Sequence, residues 1–138
     1  GGEEAGGMGV KRYIPERDGT VAGLLLLEMM AYRNENILKI LNSMERQFGK
    51  FYYLRKDLRL EHSAEFRKEN LPKELLGEKI VQVKDYDGVK LICRDESWLM
   101  FRGSGTEPMM RIYAEAKSLS RAKKLLEFGK DLILKDAL

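Results

Sequence analysis

From Met110 to Lys117 the side chains alternate in character without a break, with Met110, Ile112, Ala114 and Ala116 on one side and Arg111, Tyr113, Glu115 and Lys117 on the other. A period of two marks a strand with one face in a core and one in water, and it excludes a helix here. The same period begins after Lys50, where Leu54, Leu58 and Leu60 oppose Tyr53, Arg55, Asp57 and Arg59. Upstream the period is helical. Val21, Leu24, Leu25, Met29 and Tyr32 follow the N-cap residue Asp18, and Ile37, Leu38, Ile40, Leu41, Met44 and Phe48 mark a second helix closed by Gly49. The change of period divides the chain into residues 1–49 and 50–138.

Further strands are expected at Ile80 to Lys84 and Val89 to Arg94, joined through Tyr86, Asp87 and Gly88 as an Asp-Gly hairpin, and at Trp98 to Arg102. His62 to Leu76 reads as a charged, partly helical connection ending at Gly77, with His62 solvated. The last element is a helix capped by Ser118 or Ser120, with Ala122, Leu125, Leu126, Gly129, Leu132 and Ile133 on one face. Residues 50–138 therefore form an α+β domain, a mainly antiparallel four- or five-stranded sheet with helical cover on one face. Trp98, Phe101, Tyr52 and Tyr53 are expected to pack. The two earlier helices belong elsewhere: Leu26, Leu27 and Met30 add apolar surface on further faces of the first, so it wants cover from several sides.

Charge narrows the function classes. Lys and Arg number 25 against 22 Asp and Glu, and the two signs are interleaved rather than gathered into a stripe. That pattern disfavours a nucleic-acid partner and leaves a weak pull toward anions. The apolar run from Val21 to Ala31 is well short of the roughly eighteen residues of a membrane span. Cys93 stands alone, so no disulfide forms within the chain; it is expected to be a small buried hydrophobe in a reduced, cytoplasmic compartment. The opening on Gly1 and Gly2, running straight into a Gly/Glu-rich loop, leads us to expect a piece of a longer protein.

The chemistry concentrates in Phe101 to Pro108, between two strands. Phosphate binding needs a guanidinium fork, hydroxyls, and backbone N–H groups that glycine lets approach closely. Arg102, Ser104, Gly105 and Thr106 provide all three, and Arg111 offers a second cation from the next strand. Read by residue type alone, the stretch is either an anion site or an ordinary loop with Arg102 in a surface ion pair. It is not a Walker loop, since no Gly-Lys-Ser/Thr follows. Arg111 reads equally as a cross-strand partner for Glu115 or a neighbour, and Glu107 as a residue that orders the loop.

Arg102-Gly103-Ser104-Gly105-Thr106-Glu107-Pro108, followed by Arg111-Ile112-Tyr113, resembles the signature loop of the α-D-phosphohexomutases. Gly2-Glu3-Glu4-Ala5-Gly6-Gly7 resembles the sugar-recognition loop of that family's third domain. The resemblance spans nearly the whole chain. It implies that 1–49 is the C-terminal end of the third, α/β domain and 50–138 the fourth. It also implies a function: interconversion of hexose 1-phosphate and hexose 6-phosphate through a hexose 1,6-bisphosphate. Arg102, Ser104, Gly105, Thr106 and Arg111 would hold the substrate phosphate, and Glu3 and Ala5 would face the sugar. Arg12 and Arg17 lie close enough in sequence to the sugar loop to reach a phosphate. Mg²⁺ and the phosphorylated serine would belong to upstream domains, the chain's implied partners. No catalytic residue and no metal ligand is expected within these 138 residues.

Two departures from the family pattern stand out. Ala5 replaces a serine and removes a hydroxyl contact, and Gly103 replaces Pro or Ala and is expected to loosen the loop. The rival readings are a non-catalytic phosphosugar-binding or regulatory remnant and, less favoured by the charges, a nucleic-acid-binding α+β module. The 138-residue chain produced by itself is expected to give no mutase turnover with or without Mg²⁺, and measurable conversion in a coupled assay overturns that expectation.

Overall fold

The computed structural model describes residues 1–3, 6–11, 13–60, 71–105 and 107–136. It contains two compact units, Gly1–Gly49 and Lys50–Leu138. In the first, Gly2 and Met8 form an isolated antiparallel bridge that closes a tight loop, in which the Glu3 amide donates to the Gly7 carbonyl at 2.8 Å. Helix α1 spans Gly19–Arg33; Asp18 caps it by accepting from the Thr20 and Val21 amides, and Asn34 ends it in the left-handed region at φ 50°. Helix α2, Ile37–Phe48, is capped by the Asn36 side chain and stops at Gly49, φ 88°. Both helices match the sequence reading to within a residue, because each end carries its own capping chemistry. Within this unit α1 buries none of its residues: Leu24 and Leu27 are 60% and 62% exposed, as an apolar circumference with too little around it must be.

The second unit is a sheet with a helix on it. Strands β1 (Tyr52–Arg59), β2 (Glu74–Leu75), β3 (Glu78–Lys84), β4 (Val89–Cys93), β5 (Trp98–Gly103) and β6 (Met109–Ala116) precede helix α3 (Leu119–Asp136). The sheet runs β1-β6-β5-β4-β3-β2, antiparallel throughout. It has six strands where four or five were expected. The extra one is β2, two residues long, which replaces the tail of the expected helical connection; residues 61–70 of that connection, His62 included, lie outside the described residues.

Alternation sets the core. Leu91, Leu99, Phe101, Ile112 and Ala114 point to one face and are essentially fully buried. There α3 closes over β6, β1 and β5 with Ala122, Leu125, Leu126 and Ile133. The helix comes in close: a Cβ built on Gly129 would stand 3.0 Å from Ile112 Cγ2 and 3.1 Å from Leu99 Cδ1. Ser118 caps α3 through its hydroxyl, which accepts from the Arg121 amide at 3.2 Å. Arg121 in turn donates to the buried Ser97 hydroxyl and to the Leu75 carbonyl, tying the helix start to the β4–β5 turn and to β2. Cys93 is buried, and burial pushes its thiol pKa up.

Trp98 corrects the sequence reading. It shares the outer face with Met100 and Arg102, opposite to Phe101, and its indole N–H donates to Glu115 at 2.9 Å. Tyr53 also stands on that face, its ring 6.1 Å from Trp98 and 6.3 Å from Tyr113.

Truncating Leu99, which is fully buried beneath α3, to alanine is expected to destabilise this unit by about 2–5 kcal/mol. The half-exposed Val81 should tolerate the same change within about 0.5 kcal/mol. Denaturant titrations followed by Trp98 fluorescence compare the two.

Candidate functional site

The ladder that aligns β5 with β6 places Arg102 directly across from Arg111, and the β1–β6 register places Asp57 on the other side of Arg111. Like charges facing each other across a ladder repel. The flanks offset this. Asp57 lies next to Arg111 on β1, and on the opposite side the Arg102 Nε–H donates to Asp87 Oδ1 at 3.0 Å. A row of alternating parentage, Asp57, Arg111, Arg102, Asp87, thus crosses the outer face of the sheet with its two cations in the middle.

Each member of the row is held differently. Arg55 grips Asp57 with Nε at 2.7 Å and Nη2 at 2.8 Å. That hydrogen bond, with the charges of Arg55 and Arg111 behind it, holds the Asp57 carboxyl below the usual carboxylate range. The Asp87 bond keeps the Arg102 guanidinium protonated even more firmly than usual. Arg111 differs: its Nε is buried and has no hydrogen-bond partner among the described residues. Two arginines directly opposite in the ladder, one with a buried donor unpaired among the described residues, are an arrangement suited to an anion.

Gly103 is the last rung of β5, opposite Met110. The Ser104 amide donates to the Met109 carbonyl at 2.9 Å. Glu107 orders the loop through its backbone carbonyl, which accepts from the Met109 amide at 2.7 Å, and the Pro108 carbonyl accepts from Leu60 at the end of β1. Gly105 sits in an exposed bend; Thr106 lies outside the described residues.

In the first unit, Glu3 is paired. Arg17 Nη1 donates to Glu3 Oε2 at 2.8 Å, across the face of Gly7, where a Cβ would stand 2.7 Å from Arg17 Cδ and 2.9 Å from Glu3 Oε2. Arg17, read from sequence as a possible phosphate ligand, is here the partner of the Glu3 carboxylate. Glu3, Gly7, Pro15, Glu16 and Arg17 line an open cleft of about 380 Å³. Ala5 and Arg12 lie outside the described residues.

Sequence reading found the two arginines and Glu3 but not the groups that hold them. Asp87 and Asp57 are 15 and 45 residues from Arg102, and only the ladder brings them near. Arg111, read as a cross-strand partner for Glu115 or a neighbour, faces the neighbours Asp57 and Arg102, and Glu115 accepts from Trp98. On the same face Lys90 stands 3.6 Å above the Trp98 ring, and burial pulls its ammonium pKa below the usual lysine range.

Residues 1–48 match the family model described as phosphoglucomutase/phosphomannomutase, alpha/beta/alpha domain III, and residues 55–130 match the model of that family's C-terminal domain. A Thermococcus kodakarensis phosphoglucomutase/phosphomannomutase is 34% identical over 96% of this chain and 28% of its own length. A probable phosphoglucosamine mutase of Pyrococcus abyssi is 33% identical over 100% of this chain and 30% of its own length. A phosphoglucosamine mutase of Methanocaldococcus jannaschii is 32% identical over 88% and 26%. The chain spans less than a third of the length of each of these relatives.

Because the folded-state pKa of Asp57 is depressed, its contribution to stability is present above the unfolded value of about 3.9 and is lost as pH falls through the lower folded value. Asp57→Asn should therefore flatten the acid limb of the stability curve and leave its neutral part less stable. Thermal melts across roughly pH 1 to 5 read this directly.

Proposed function

The chain belongs to the phosphoglucomutase/phosphomannomutase family, and from that premise we propose that residues 50–138 grip the non-reacting phosphate of a hexose phosphate and that the Gly1–Gly9 loop serves to recognise sugar hydroxyls. The observation that carries this reading is the Arg102–Arg111 pair, with the unsatisfied Arg111 Nε beside it. A dianion between two guanidiniums turns their mutual repulsion into attraction from both sides.

Each residue then has a chemical task. Arg102 presents a planar fork that matches two phosphate oxygens, a match a lysine lacks. Arg111 adds the second positive charge. The hydroxyls of Ser104 and Thr106 donate to the remaining oxygens, and the amide of Gly105 approaches without a side chain in the way. In the sugar loop, Arg17 takes one oxygen of Glu3 and so fixes the carboxylate plane, from which the other oxygen accepts from sugar hydroxyls.

The overall reaction we assign is exchange of the phosphate position between C1 and C6 through a hexose 1,6-bisphosphate. Phosphoryl transfer depends on stabilising charge at the moving group and on holding the substrate in line with it. This chain's share is the second requirement. The remote phosphate anchors the sugar, and its binding energy goes into orientation at the reacting end. The phosphoryl-carrying serine and the Mg²⁺ site are assigned to the part of the family's longer members that these residues do not span.

Arg102→Ala is expected to weaken hexose-phosphate binding by about 1.5–3 kcal/mol, the range for hydrogen bonds to a charged group. A titration of glucose 1-phosphate followed by amide NMR shifts is the check. Equal affinity in mutant and wild type contradicts the assignment.

A further inference from the structure

The β3–β4 turn bears on Arg102 more closely than a surface hairpin needs to. Gly88 lies flat against β5: a Cβ there would stand 2.3 Å from the Phe101 carbonyl oxygen and 3.1 Å from both Cα and Cβ of Arg102. Its φ of 87° is also one that a side chain rarely tolerates. Only a glycine lets the turn rest there, and resting there brings the carboxylate of Asp87, the preceding residue, to the Arg102 guanidinium.

The edge that Asp87 takes is informative. A guanidinium offers two bidentate edges, one end-on through both Nη groups and one from the side through Nε. The Asp87 contact is with Nε. A carboxylate standing in for phosphate would occupy the end-on fork, whereas one on Nε fixes the plane of the group and leaves the fork aimed by that plane. Arg111 stands opposite Arg102 on the β6 side, and Asp87 binds Arg102 from the β4 side, so the long side chain is tethered at its Nε edge by an ion pair seated on the neighbouring turn.

We infer that Asp87 is a positioning residue for the phosphate site: seated by Gly88, it holds Arg102 from the side so that the plane of its guanidinium is fixed before the anion arrives. This rests on the phosphate-binding reading and adds to it a residue outside the signature loop. The gain is in preorganisation, since an arginine already held in place has less side-chain entropy to lose on binding.

The test uses the 138-residue chain, inorganic phosphate as the probe, and three variants: Asp87→Ala, Asp87→Asn and Arg102→Ala. Asparagine keeps an oxygen acceptor at the same reach, and Asp87 is an exposed turn residue whose replacement should leave the spectrum folded. Asp87→Ala is expected to weaken phosphate binding about three- to tenfold, and Asp87→Asn to restore most of it. In the free protein, the Arg102 Nε–H cross-peak should be resolved in wild type and Asp87→Asn and broadened into solvent exchange in Asp87→Ala, a signal that a loss of stability elsewhere does not produce. Binding that is lost in Arg102→Ala but unchanged or tighter in Asp87→Ala overturns this inference alone. Binding that survives Arg102→Ala overturns the phosphate reading and this inference with it.

Discussion

Burial of Phe101 and Leu99 beneath α3 is the constraint on which the rest of the second unit depends. With those two side chains inside, alternation leaves Arg102 on the outer face, and the β5–β6 register then leaves it no neighbour on that strand but Arg111. A slip of one residue would drive both guanidiniums into the core and turn the aliphatic side chains to water. The hydrophobic pattern thus sets the geometry of the charges as firmly as it sets the fold. The close seat of α3 at Gly129, against the same Leu99 and Ile112, closes off room for any such slip.

The two units handle their carboxylates and arginines in a common way. In each, a glycine removes the side chain that would keep an ion pair apart: Gly7 beneath Arg17 and Glu3, Gly88 beside Arg102 and Asp87. In each, the pair is largely exposed, so its worth is orientation more than stability. Replacing either glycine would displace the charged groups without altering any charge.

How far the sequence could be read follows from the range of the forces involved. Helices α1 and α2 were legible because Asp18, Asn34, Asn36 and Gly49 act within four residues of themselves, and β1 and β6 because a half-buried strand writes its period into eight consecutive positions. Strand β2 is too short to carry a period. Trp98 was misplaced because the run Trp98-Leu99-Met100-Phe101 is apolar on both faces and shows no alternation in character; the outward ring is met by the Glu115 carboxylate, Lys90 and Tyr53, which come from other strands. Of the candidate site, the donors Arg102, Ser104 and Gly105 are contiguous and visible. The groups that orient them come from other strands, and the pairing of β1 with β6 or the lean of a hairpin on its neighbour is not a local property of any segment.

The order of strands across the sheet has a consequence for how the protein assembles itself. Strands β3 to β6 follow one another as neighbours, joined by short turns, whereas β1 pairs with β6 across some fifty intervening positions, from Arg59 to its partner Met109. Closing the larger ring is entropically the slower event, so the meander is free to nucleate first and β1 to zip on afterwards. Asp87, Arg102 and Arg111 all belong to the early-forming part. Lengthening or shortening the segment between β1 and β2 should therefore change the rate at which the last rung closes while leaving the arrangement of those three residues as it was.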